Sequence, residues 1–346
     1  MAIEKRIGIL TGGGDAPGLN GVIESCGRTL IEHGFEVVGV CDGFEGVFEG
    51  RTRSLVASEL KGLHAAAGTI LGASNKTGTA GREDEFLRRY RELDLAGMVV
   101  AGGDGTFAGL TKVSPGLRMI GVPKTIDNDL AGTDFTFGYD TACAVVADSI
   151  DALRATAASH RRCLVVETMG RTSGWIALGG GLASYADAIL IPERPYDRGK
   201  LAAFLRARRN SGQRGALISI SEGAAAEGET ASVAFEVAGS PQAERYGGVA
   251  QNLARWIERE VGWESRHVVL GHLQRARPPT TTDRLLTLAM GIEAARLVCE
   301  GAWGQAVVLR DGQVTRAPLD DIMKPARLVP PDHRWVALAQ AIGAFI

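Results

Sequence analysis

The sequence predicts an α/β fold with mainly parallel sheets and helices on both faces of each sheet. Two observations support this prediction: short runs rich in β-branched residues recur along the 346-residue chain, and amphipathic stretches lie between them. One such stretch, TACAVVADSIDALRATA, places its apolar side chains at helical spacing. The runs predicted to form buried strands are Arg6–Leu10, Glu36–Val40, Gly97–Gly102, Arg118–Pro123, Cys163–Thr168, Ala188–Pro192, Ala216–Ser221 and His267–Gly271.

The composition argues against several classes of protein. The formal net charge is −2 and the basic residues are scattered, so nothing favours a nucleic acid or a membrane as partner. No uninterrupted apolar run approaches ~18 residues, and the first ten residues look like a strand rather than a signal peptide. The five cysteines form no CxxC pair, which favours buried thiols over disulfides or zinc ligands. We therefore expect a cytoplasmic protein.

A glycine-rich loop follows the first predicted strand. Its sequence, LTGGGDAPGLN, places Gly12, Gly13 and Gly14 where the chain passes from a strand into a helix. Glycines let the backbone approach an anion, and a helix N-terminus points N–H groups at it. The loop has neither a Walker A motif nor the spacing of a Rossmann fingerprint. It indicates either a phosphate site or a plain strand–helix turn.

A second loop of this type, VVAGGDGTFAG, follows another predicted strand. Three glycines, Gly102, Gly103 and Gly105, surround one carboxylate. That carboxylate, Asp104, suits Mg²⁺, which takes few protein ligands and keeps phosphate oxygens and waters. The alternative is that Asp104 caps a helix.

The third loop, PKTIDND, places a lysine, a hydroxyl and two carboxylates directly behind an apolar run. Phosphoryl transfer to an alcohol needs a base near the hydroxyl, cations on the moving phosphoryl group, and positioning. Asp127 or Asp129 can be the base. Thr125 can bond the phosphoryl group, and Lys124 can neutralise its charge. The alternative is an Asx turn with a structural role only.

Further polar side chains are predicted at the ends of later strands. Arg171 can lower the pKa of a carboxylate and stabilise transferred charge, and Glu222 can bond sugar hydroxyls. Basic residues with forked donors suit a phosphate monoester, although each also fits a solvated surface. These basic residues are Arg161, Arg162, Arg266, His272, Arg275 and Arg277.

Together and in this order, the motifs GGGDAPGLN, GGDGT, PKTIDND, SHRR, MGR, SEG and GHLQR resemble those of the phosphofructokinase A family, the 6-phosphofructokinases. The resemblance covers essentially the whole chain. It implies two Rossmann-like, three-layer subdomains with the active site in the cleft between them. The larger, donor-binding subdomain would comprise residues 1–137 and roughly 252–303, and the smaller, sugar-phosphate-binding subdomain residues 138–251 and roughly 304–346.

The resemblance also implies roles for individual residues. Asp127 would take the proton from the 1-hydroxyl of fructose 6-phosphate, with Arg171 paired to it and assisting the transition state. Thr125 would contact the moving phosphoryl group, while Asp104 would hold Mg²⁺ with Asp129 nearby. The residues implied for the donor are Gly13, Gly14, Asn75, Lys76, Gly103, Asp104, Gly105, Thr106 and Lys124. Those implied for the sugar phosphate are Thr125, Ile126, Asp127, Arg162, Met169, Gly170, Arg171, Glu222, Arg266, His272, Leu273, Gln274 and Arg275.

The identity of the donor depends on two positions. In the family, glycine after the metal-site aspartate leaves room for a nucleotide, whereas aspartate there excludes it and goes with pyrophosphate. This chain has Gly105 at that position. It also has Lys124, and lysine occurs there in all the pyrophosphate enzymes. Because a lysine tolerates either donor and a carboxylate excludes ATP, the resemblance favours ATP.

The resemblance therefore implies an ATP-dependent 6-phosphofructokinase of glycolysis, which uses Mg²⁺ and makes fructose 1,6-bisphosphate. Arg162 and Arg266 would reach the 6-phosphate bound to a neighbouring subunit. A homodimer or homotetramer with shared active sites is expected for that reason.

Other functions stay open beside this one. Pyrophosphate is the alternative donor, and Asn75 stands where many members have an arginine, with Lys76 next to it. The turn QRAR, with Ala276 and Arg277 in place of two glycines, leaves a related sugar phosphate such as sedoheptulose 7-phosphate as an alternative acceptor. A catalytically silent sensor would not need Asp127. An NAD-dependent oxidoreductase would need a GxGxxG motif, which the first loop lacks.

Overall fold

The computed structural model describes residues 6–74, 78–236 and 244–346, so the predicted donor contacts Asn75 and Lys76 lie outside the described residues. The described strands are β1 Arg6–Thr11, β2 Glu36–Val40, β3 Thr52–Ser54, β4 Gly97–Gly102, β5 Met119–Pro123, β6 Cys163–Thr168, β7 Ala188–Leu190, β8 Ala216–Ser221, β9 Val233–Glu236, β10 Glu244–Tyr246, β11 Ser265–Val269, β12 Gln305–Arg310 and β13 Gln313–Pro318.

The described α-helices are α1 Leu19–Glu32, α2 Phe44–Glu49, α3 Ala57–Leu60, α4 Glu83–Glu92, α5 Asp104–Leu110, α6 Tyr139–His160, α7 Trp175–Ala183, α8 Arg198–Asn210, α9 Val249–Glu260, α10 Leu273–Ala276, α11 Thr281–Glu300 and α12 Arg334–Ala341. Short 3₁₀ helices cover Leu63–Ala65, Ser114–Gly116 and Leu319–Met323. None of the helices in these parts of the chain combines the length and apolarity needed to cross a bilayer.

The described residues divide into two units. Unit 1 comprises those within 6–141 and 275–326, and unit 2 those within 142–236, 244–274 and 327–346. The four residues 138–141 and two longer stretches therefore lie outside the bounds expected from the sequence. Residues 252–274 belong to unit 2 because β11 pairs in parallel with β6. Residues 304–326 belong to unit 1 because β12 pairs in parallel with β5.

Unit 1 is built on a sheet with the strand order β13-β12-β5-β4-β1-β2-β3. Its five central strands are parallel, and the edge strands β3 and β13 are antiparallel to their neighbours. Alternate residues enter different apolar clusters: Ile9 and Val99 pack with α1 and α11 on one face, and Leu10 and Val100 pack with α4 and α5 on the other. This sheet is covered by helices on both faces.

Unit 2 contains a parallel sheet with the strand order β11-β6-β8-β7. On one face, Leu205 of α8 and Ile257 of α9 belong to the same apolar cluster as Ile218 of β8. On the other face, α7 approaches so closely that a Cβ atom on Gly181 would lie 3.0 Å from side-chain atoms of Ile189 and Ser219. Both units are three-layer structures with mainly parallel strands, which confirms the predicted α/β fold class.

Candidate active site

Three loops meet at the carboxyl edge of the unit 1 sheet, because β1, β4 and β5 are neighbouring parallel strands. The loop after β1 is held to β4 by a 2.9 Å hydrogen bond from Gly12 N to the Ala101 carbonyl. The loop after β5 is held to β4 by a 2.8 Å bond from Lys124 N to the Gly102 carbonyl. The glycine-rich loops and the PKTIDND loop are therefore adjacent, at the kind of edge where α/β sheets bind ligands.

The two glycine-rich loops surround Thr106. A Cβ atom on Gly12 would lie 2.7 Å from Thr106 Cγ2, and one on Gly102 would lie 2.5 Å from the same atom, so neither position can carry a side chain without a shift. The backbone of Gly13 has a φ of 77°, which suits glycine. Thr106 is buried, and its Oγ1 has no hydrogen-bond partner within the described chain. This hydroxyl can therefore bond an oxygen of a ligand held by the loops.

Open space borders the second loop at Gly105. A Cβ atom there would meet no described atom within 4 Å apart from its chain neighbours and the backbone of α5, and both Asp104 and Gly105 are exposed at the start of that helix. Asp104 is close enough to Asp129 for its charge to raise the pKa of that carboxyl group. Two nearby carboxylates beside open space fit Mg²⁺, although the described residues contain no group of three or more metal-binding side chains.

Lys124 lies beside the first loop with its charge buried. Its side chain is 3% exposed, and Nζ donates a 2.5 Å hydrogen bond to the Gly14 carbonyl. Burial, and then the guanidinium of Arg275, lower the pKa of Lys124 to about 8, against the attraction of nearby carboxylates such as Asp127. Lys124 is therefore still mainly charged at neutral pH, and it supplies a cation beside the glycine loop.

The lowered pKa of Lys124 predicts a pH-dependent stability. The unfolded chain keeps this proton up to a pKa of 10.5, whereas the folded protein releases it near 8. Between these values the unfolded state binds more protons, so this group favours folding more strongly as the pH rises. From about pH 7 to about pH 10, the unfolding free energy of the wild type should rise by ~2 kcal/mol relative to Lys124→Met in urea denaturation. If the difference in unfolding free energy between the two proteins stayed the same over this pH range, the burial of a charged Lys124 would be contradicted.

Asp127 and Asp129 are both half-buried in the PKTIDND loop. Thr125 Oγ1 accepts a 3.0 Å hydrogen bond from Asp127 N, and the Thr125 side chain also bonds the Asp129 carboxyl group. Burial, and then the charge of Asp127, raise the pKa of Asp129 to about 7. Neighbouring carboxyl groups whose environment disfavours two charges are typical of sites that move a proton. The loop can therefore supply a base beside a carboxyl group that is partly protonated at neutral pH.

Thr136 braces this loop, and no motif in the sequence pointed to it. It is fully buried; its N donates a 3.0 Å hydrogen bond to Asn128 Oδ1, and its Oγ1 donates a 2.7 Å bond to the Thr125 carbonyl. Asn128 has a φ of 54°, a left-handed conformation in which asparagine is enriched. The loop shape that sets Asp127 beside Asp129 therefore depends on a residue outside the motif.

Replacing Thr136 with valine keeps the shape of the side chain and removes its hydroxyl. The buried Thr125 carbonyl then loses its partner, so we expect the unfolding free energy to fall by ~1–3 kcal/mol and turnover to fall with it. Thr136→Ser keeps the hydroxyl and is the matched control. Chemical denaturation and steady-state assays on the three proteins test the expectation. Equal turnover in the valine and serine variants would rule out the bracing role.

A second group of predicted residues lies in unit 2, at the carboxyl ends of β6 and β8. Met169 N donates a 3.3 Å hydrogen bond to Gln274 Oε1, and Arg171 N donates a 3.0 Å bond to Glu222 Oε1. A Cβ atom on Gly223 would lie 1.8 Å from the Arg171 carbonyl, so the SEG motif needs its glycine here. These contacts bring together Met169, Gly170, Arg171, Glu222 and Gln274.

Arg171 has two features of a ligand-binding residue. Its φ is 53°, and non-glycine residues in this region are uncommon and concentrate at functional sites. Its Nε is buried without a hydrogen-bond partner among the described residues, so it can bond an anion. Two other predicted substrate contacts, His272 and Leu273, directly precede Gln274 in the sequence, and both are exposed to solvent. A third, Ile126, is fully buried in unit 1.

Arg275 is placed in unit 1, against the first glycine loop. Its Nη1 donates a 2.6 Å hydrogen bond to the Asp15 carbonyl, and a Cβ atom on Gly14 would lie 3.4 Å from the same nitrogen. The guanidinium therefore adds a second cation beside Lys124. Asp15 was not singled out as a site residue, although it belongs to the GGGDAPGLN motif.

Arg162 and Arg266 lie together at the amino ends of β6 and β11. Arg162 Nε and Arg266 Nη2 each lie 2.8 Å from Glu264 Oε1, and the hydrogen bond from Arg162 is the main reason why the pKa of Glu264 is lowered. Arg162 and Met169 flank the six residues of β6, and at ~3.3 Å per residue this places them more than roughly 20 Å apart along the strand. A single chain therefore does not bring these two arginines to the group around Met169.

Comparison with known proteins adds independent information. The sequence model of the family described as Phosphofructokinase matches residues 6–298. ATP-dependent 6-phosphofructokinase 3 of Streptomyces coelicolor is 41% identical over 336 residues, which cover 95% of this chain and 98% of that protein. The pyrophosphate–fructose 6-phosphate 1-phosphotransferase of Amycolatopsis methanolica is 40% identical over 337 residues, which cover 95% of this chain and 97% of that protein.

Solved structures agree with the fold of the chain. The crystal structure of Pichia pastoris phosphofructokinase in the T-state matches with a TM-score of 0.80 at 28% identity. The match covers 98% of this chain but 36% of the Pichia chain, so this chain spans about a third of that protein. The family resemblance inferred from the motifs is confirmed: the chain belongs to the phosphofructokinase family.

Proposed function

We propose that this chain is an ATP-dependent 6-phosphofructokinase, which transfers the terminal phosphoryl group of ATP to the 1-hydroxyl of fructose 6-phosphate. The Streptomyces and Amycolatopsis relatives are almost equally similar to it, yet one is named for ATP and the other for pyrophosphate. Their names do not separate the donors, so the choice depends on the site. The observation that carries it is the open space at Gly105, where no described atom beyond the chain neighbours and the backbone of α5 lies within 4 Å of a Cβ position.

The loops of unit 1 carry the chemistry in this proposal. Asp127 takes the proton of the sugar 1-hydroxyl, the freed oxygen attacks the terminal phosphorus of ATP, and ADP leaves. Thr125 bonds the moving phosphoryl group, and Lys124 of the same loop, whose Nζ lies beside Gly14, offsets its negative charge. Mg²⁺, held by Asp104 with Asp129 nearby, would offset the charge of the donor phosphates when bound.

The residues of unit 2 bind the sugar phosphate in this proposal. The turn from Met169 to Arg171 is fixed by Gln274 and Glu222, which supports a preformed binding surface. The buried Arg171 Nε supports a contact with negative charge that develops during transfer. His272, Leu273 and Arg275 are the further contacts that the GHLQR motif implies.

We also propose a homodimer or homotetramer with shared active sites. The support is the distance along β6 between Arg162 and Met169, which leaves the Arg162–Arg266 pair away from its own chain's substrate group. Mixing inactive Asp127→Ser chains with inactive Arg162→Ala chains, followed by denaturation and refolding together, tests this arrangement. Shared sites predict that activity returns in the mixture, and sites confined to one chain predict that it does not.

Pyrophosphate is the second candidate donor, because Lys124 is buried beside Gly13 and Gly14 where it can hold a small polyphosphate. The deciding experiment measures initial formation of fructose 1,6-bisphosphate with Mg²⁺ and either ATP or pyrophosphate. Turnover with ATP alone would support the proposal, and turnover with pyrophosphate alone would overturn it. Sedoheptulose 7-phosphate as a parallel acceptor tests whether the QRAR turn has changed the preferred sugar.

A further inference from the structure

A surface pocket in unit 2 shares no residue with the candidate active site. It lies between the start of α8 and the outer face of α9, and its volume is about 410 Å³. Pockets that hold small molecules usually have volumes of roughly 300–1,000 Å³. Its lining consists of Arg198, Glu229, Asn252, Arg255, Trp256 and Arg259.

The described residues of this lining include one carboxylate, Glu229, and it is paired with an arginine. Glu229 binds Arg198 with both oxygens, at 2.9 Å from Nε and 2.8 Å from Nη2. The same guanidinium lies over the ring of Trp256, 5.2 Å from its centroid. Glu229 therefore fixes Arg198 as part of the wall and leaves little negative charge to oppose an incoming anion.

The α9 side of the pocket supplies hydrogen-bond donors that have few partners among the described residues. Asn252, Arg255, Trp256 and Arg259 follow at helical spacing and therefore share one face of α9. Within the described parts of the chain, the side chains of Asn252 and Arg255 have no hydrogen bond or ion pair. Among the described residues, Glu260 is the one hydrogen-bond and ion-pair partner of the Arg259 side chain, at 2.7 Å from Nε, which leaves the two terminal nitrogens available.

The charge and the aromatic side chain on this face of α9 favour a binding site over an ordinary solvent-exposed helix face. The whole chain has a net charge of −2, so three arginines around one paired glutamate are a local concentration of positive charge. Guanidinium forks match the oxygens of a phosphate, and the half-buried Trp256 adds a flat apolar wall beside them. We propose that this pocket binds a small metabolite that carries a phosphate group.

Nucleotides and sugar derivatives both carry phosphate groups, and they differ in whether they have an aromatic ring that can stack on Trp256. A nucleotide base can stack on the indole, whereas a glycerol or sugar phosphate offers no aromatic ring. A preference for adenosine monophosphate over glycerol 3-phosphate would identify a nucleotide site. Equal affinity would identify a site that recognises the phosphate alone.

The test uses the full chain labelled with 5-fluorotryptophan and observed by ¹⁹F NMR, so that Trp256 reports only on its own surroundings. Its signal is assigned with Trp256→Phe. Adenosine monophosphate, glycerol 3-phosphate and inorganic phosphate are titrated separately, with sodium chloride at equal ionic strength as the salt control. We expect a saturable shift of the Trp256 signal with at least one phosphate compound and none with the salt.

Arg255→Glu should weaken this binding by ~10-fold or more, because it replaces a charged donor with a repelling carboxylate. Lys200→Glu makes the same charge change on α8 outside the pocket lining and should leave the affinity at its wild-type value. Both variants should keep wild-type turnover, which shows that they fold. The proposal is overturned if no phosphate compound gives a saturable shift, if salt reproduces the shift, or if Arg255→Glu binds as tightly as Lys200→Glu.

Discussion

Asp127→Ser should lower turnover by ~10²–10⁴-fold, because a serine hydroxyl cannot accept the substrate proton at neutral pH as a carboxylate can. The affinity for fructose 6-phosphate should change little, since the turn from Met169 to Arg171 that is proposed to bind the sugar is unaltered. Steady-state rates with saturating donor give the first quantity. Calorimetric titration with fructose 6-phosphate gives the second.

The pKa of Asp129 gives an independent check that the charge of Asp127 has been removed. Asp127 is one cause of the raised pKa of Asp129, so the pKa of Asp129 should fall towards its ordinary value in the variant. The matched control is Asp84→Ser, which removes an exposed aspartate on α4 and should keep wild-type turnover. Near-normal turnover in Asp127→Ser would show that another group is the base. A large loss of sugar-phosphate binding would show that Asp127 acts mainly in binding.

The central strands were easier to predict from the sequence than the edge strands. β2, β4, β6 and β8 have the predicted bounds, because strands inside a parallel sheet carry continuous β-branched runs. At the edge of unit 2, β11 was predicted as His267–Gly271 and lies two residues earlier, and its burial shows no regular alternation. β3, β9, β10, β12 and β13 were not predicted. β3 is an edge strand of three residues, and β13 is an edge strand that is largely polar and partly exposed, whereas β12, with the run QAVVLR, is an internal strand that does not follow this rule.

In the candidate site, residues within local motifs were predicted from the sequence, whereas residues that act through contacts distant in sequence were missed. Motifs identified the loops after β1, β4, β5 and β6 because the chemistry resides in consecutive residues. Thr136 was missed because its bonds to Thr125 and Asn128 follow from how the chain returns to the loop, which no local pattern encodes. The shared partner of Arg162 and Arg266 was also missed, since Glu264 meets Arg162 only through the pairing of β11 with β6.

Gly105→Asp should abolish the use of ATP. The structure indicates that the folded protein accommodates an aspartate at this position, so the loss would not result from unfolding. The position is exposed, and its φ is outside the left-handed region. A Cβ atom there meets no described atom within 4 Å apart from its chain neighbours and the backbone of α5. An added carboxylate in the first turn of α5 is also compatible with the helix dipole. The variant should therefore unfold at the same denaturant concentration as the wild type.

The expected loss arises when the donor binds. An aspartate at residue 105 would occupy the open space and set a negative charge against the polyphosphate of ATP. Juxtaposed like charges cost several kcal/mol, which corresponds to a loss of ~10²–10³-fold or more in kcat/KM for ATP. Gly105→Ala is the matched control, because it adds the Cβ atom without the charge. A large loss in the aspartate variant and a small loss in the alanine variant would attribute the effect to charge, and equal losses would attribute it to size.

Turnover with pyrophosphate, measured on the same three proteins, shows what Lys124 contributes to the choice of donor. Pyrophosphate lacks the nucleoside that the space beside Gly105 is proposed to hold, so its use should be far less sensitive to the aspartate than that of ATP. If Lys124 can serve a small donor once the nucleotide is excluded, Gly105→Asp will gain pyrophosphate activity relative to ATP activity. Unchanged ATP kinetics in Gly105→Asp would instead show that the nucleotide does not pass this residue, and the proposed choice of donor would then have no structural basis.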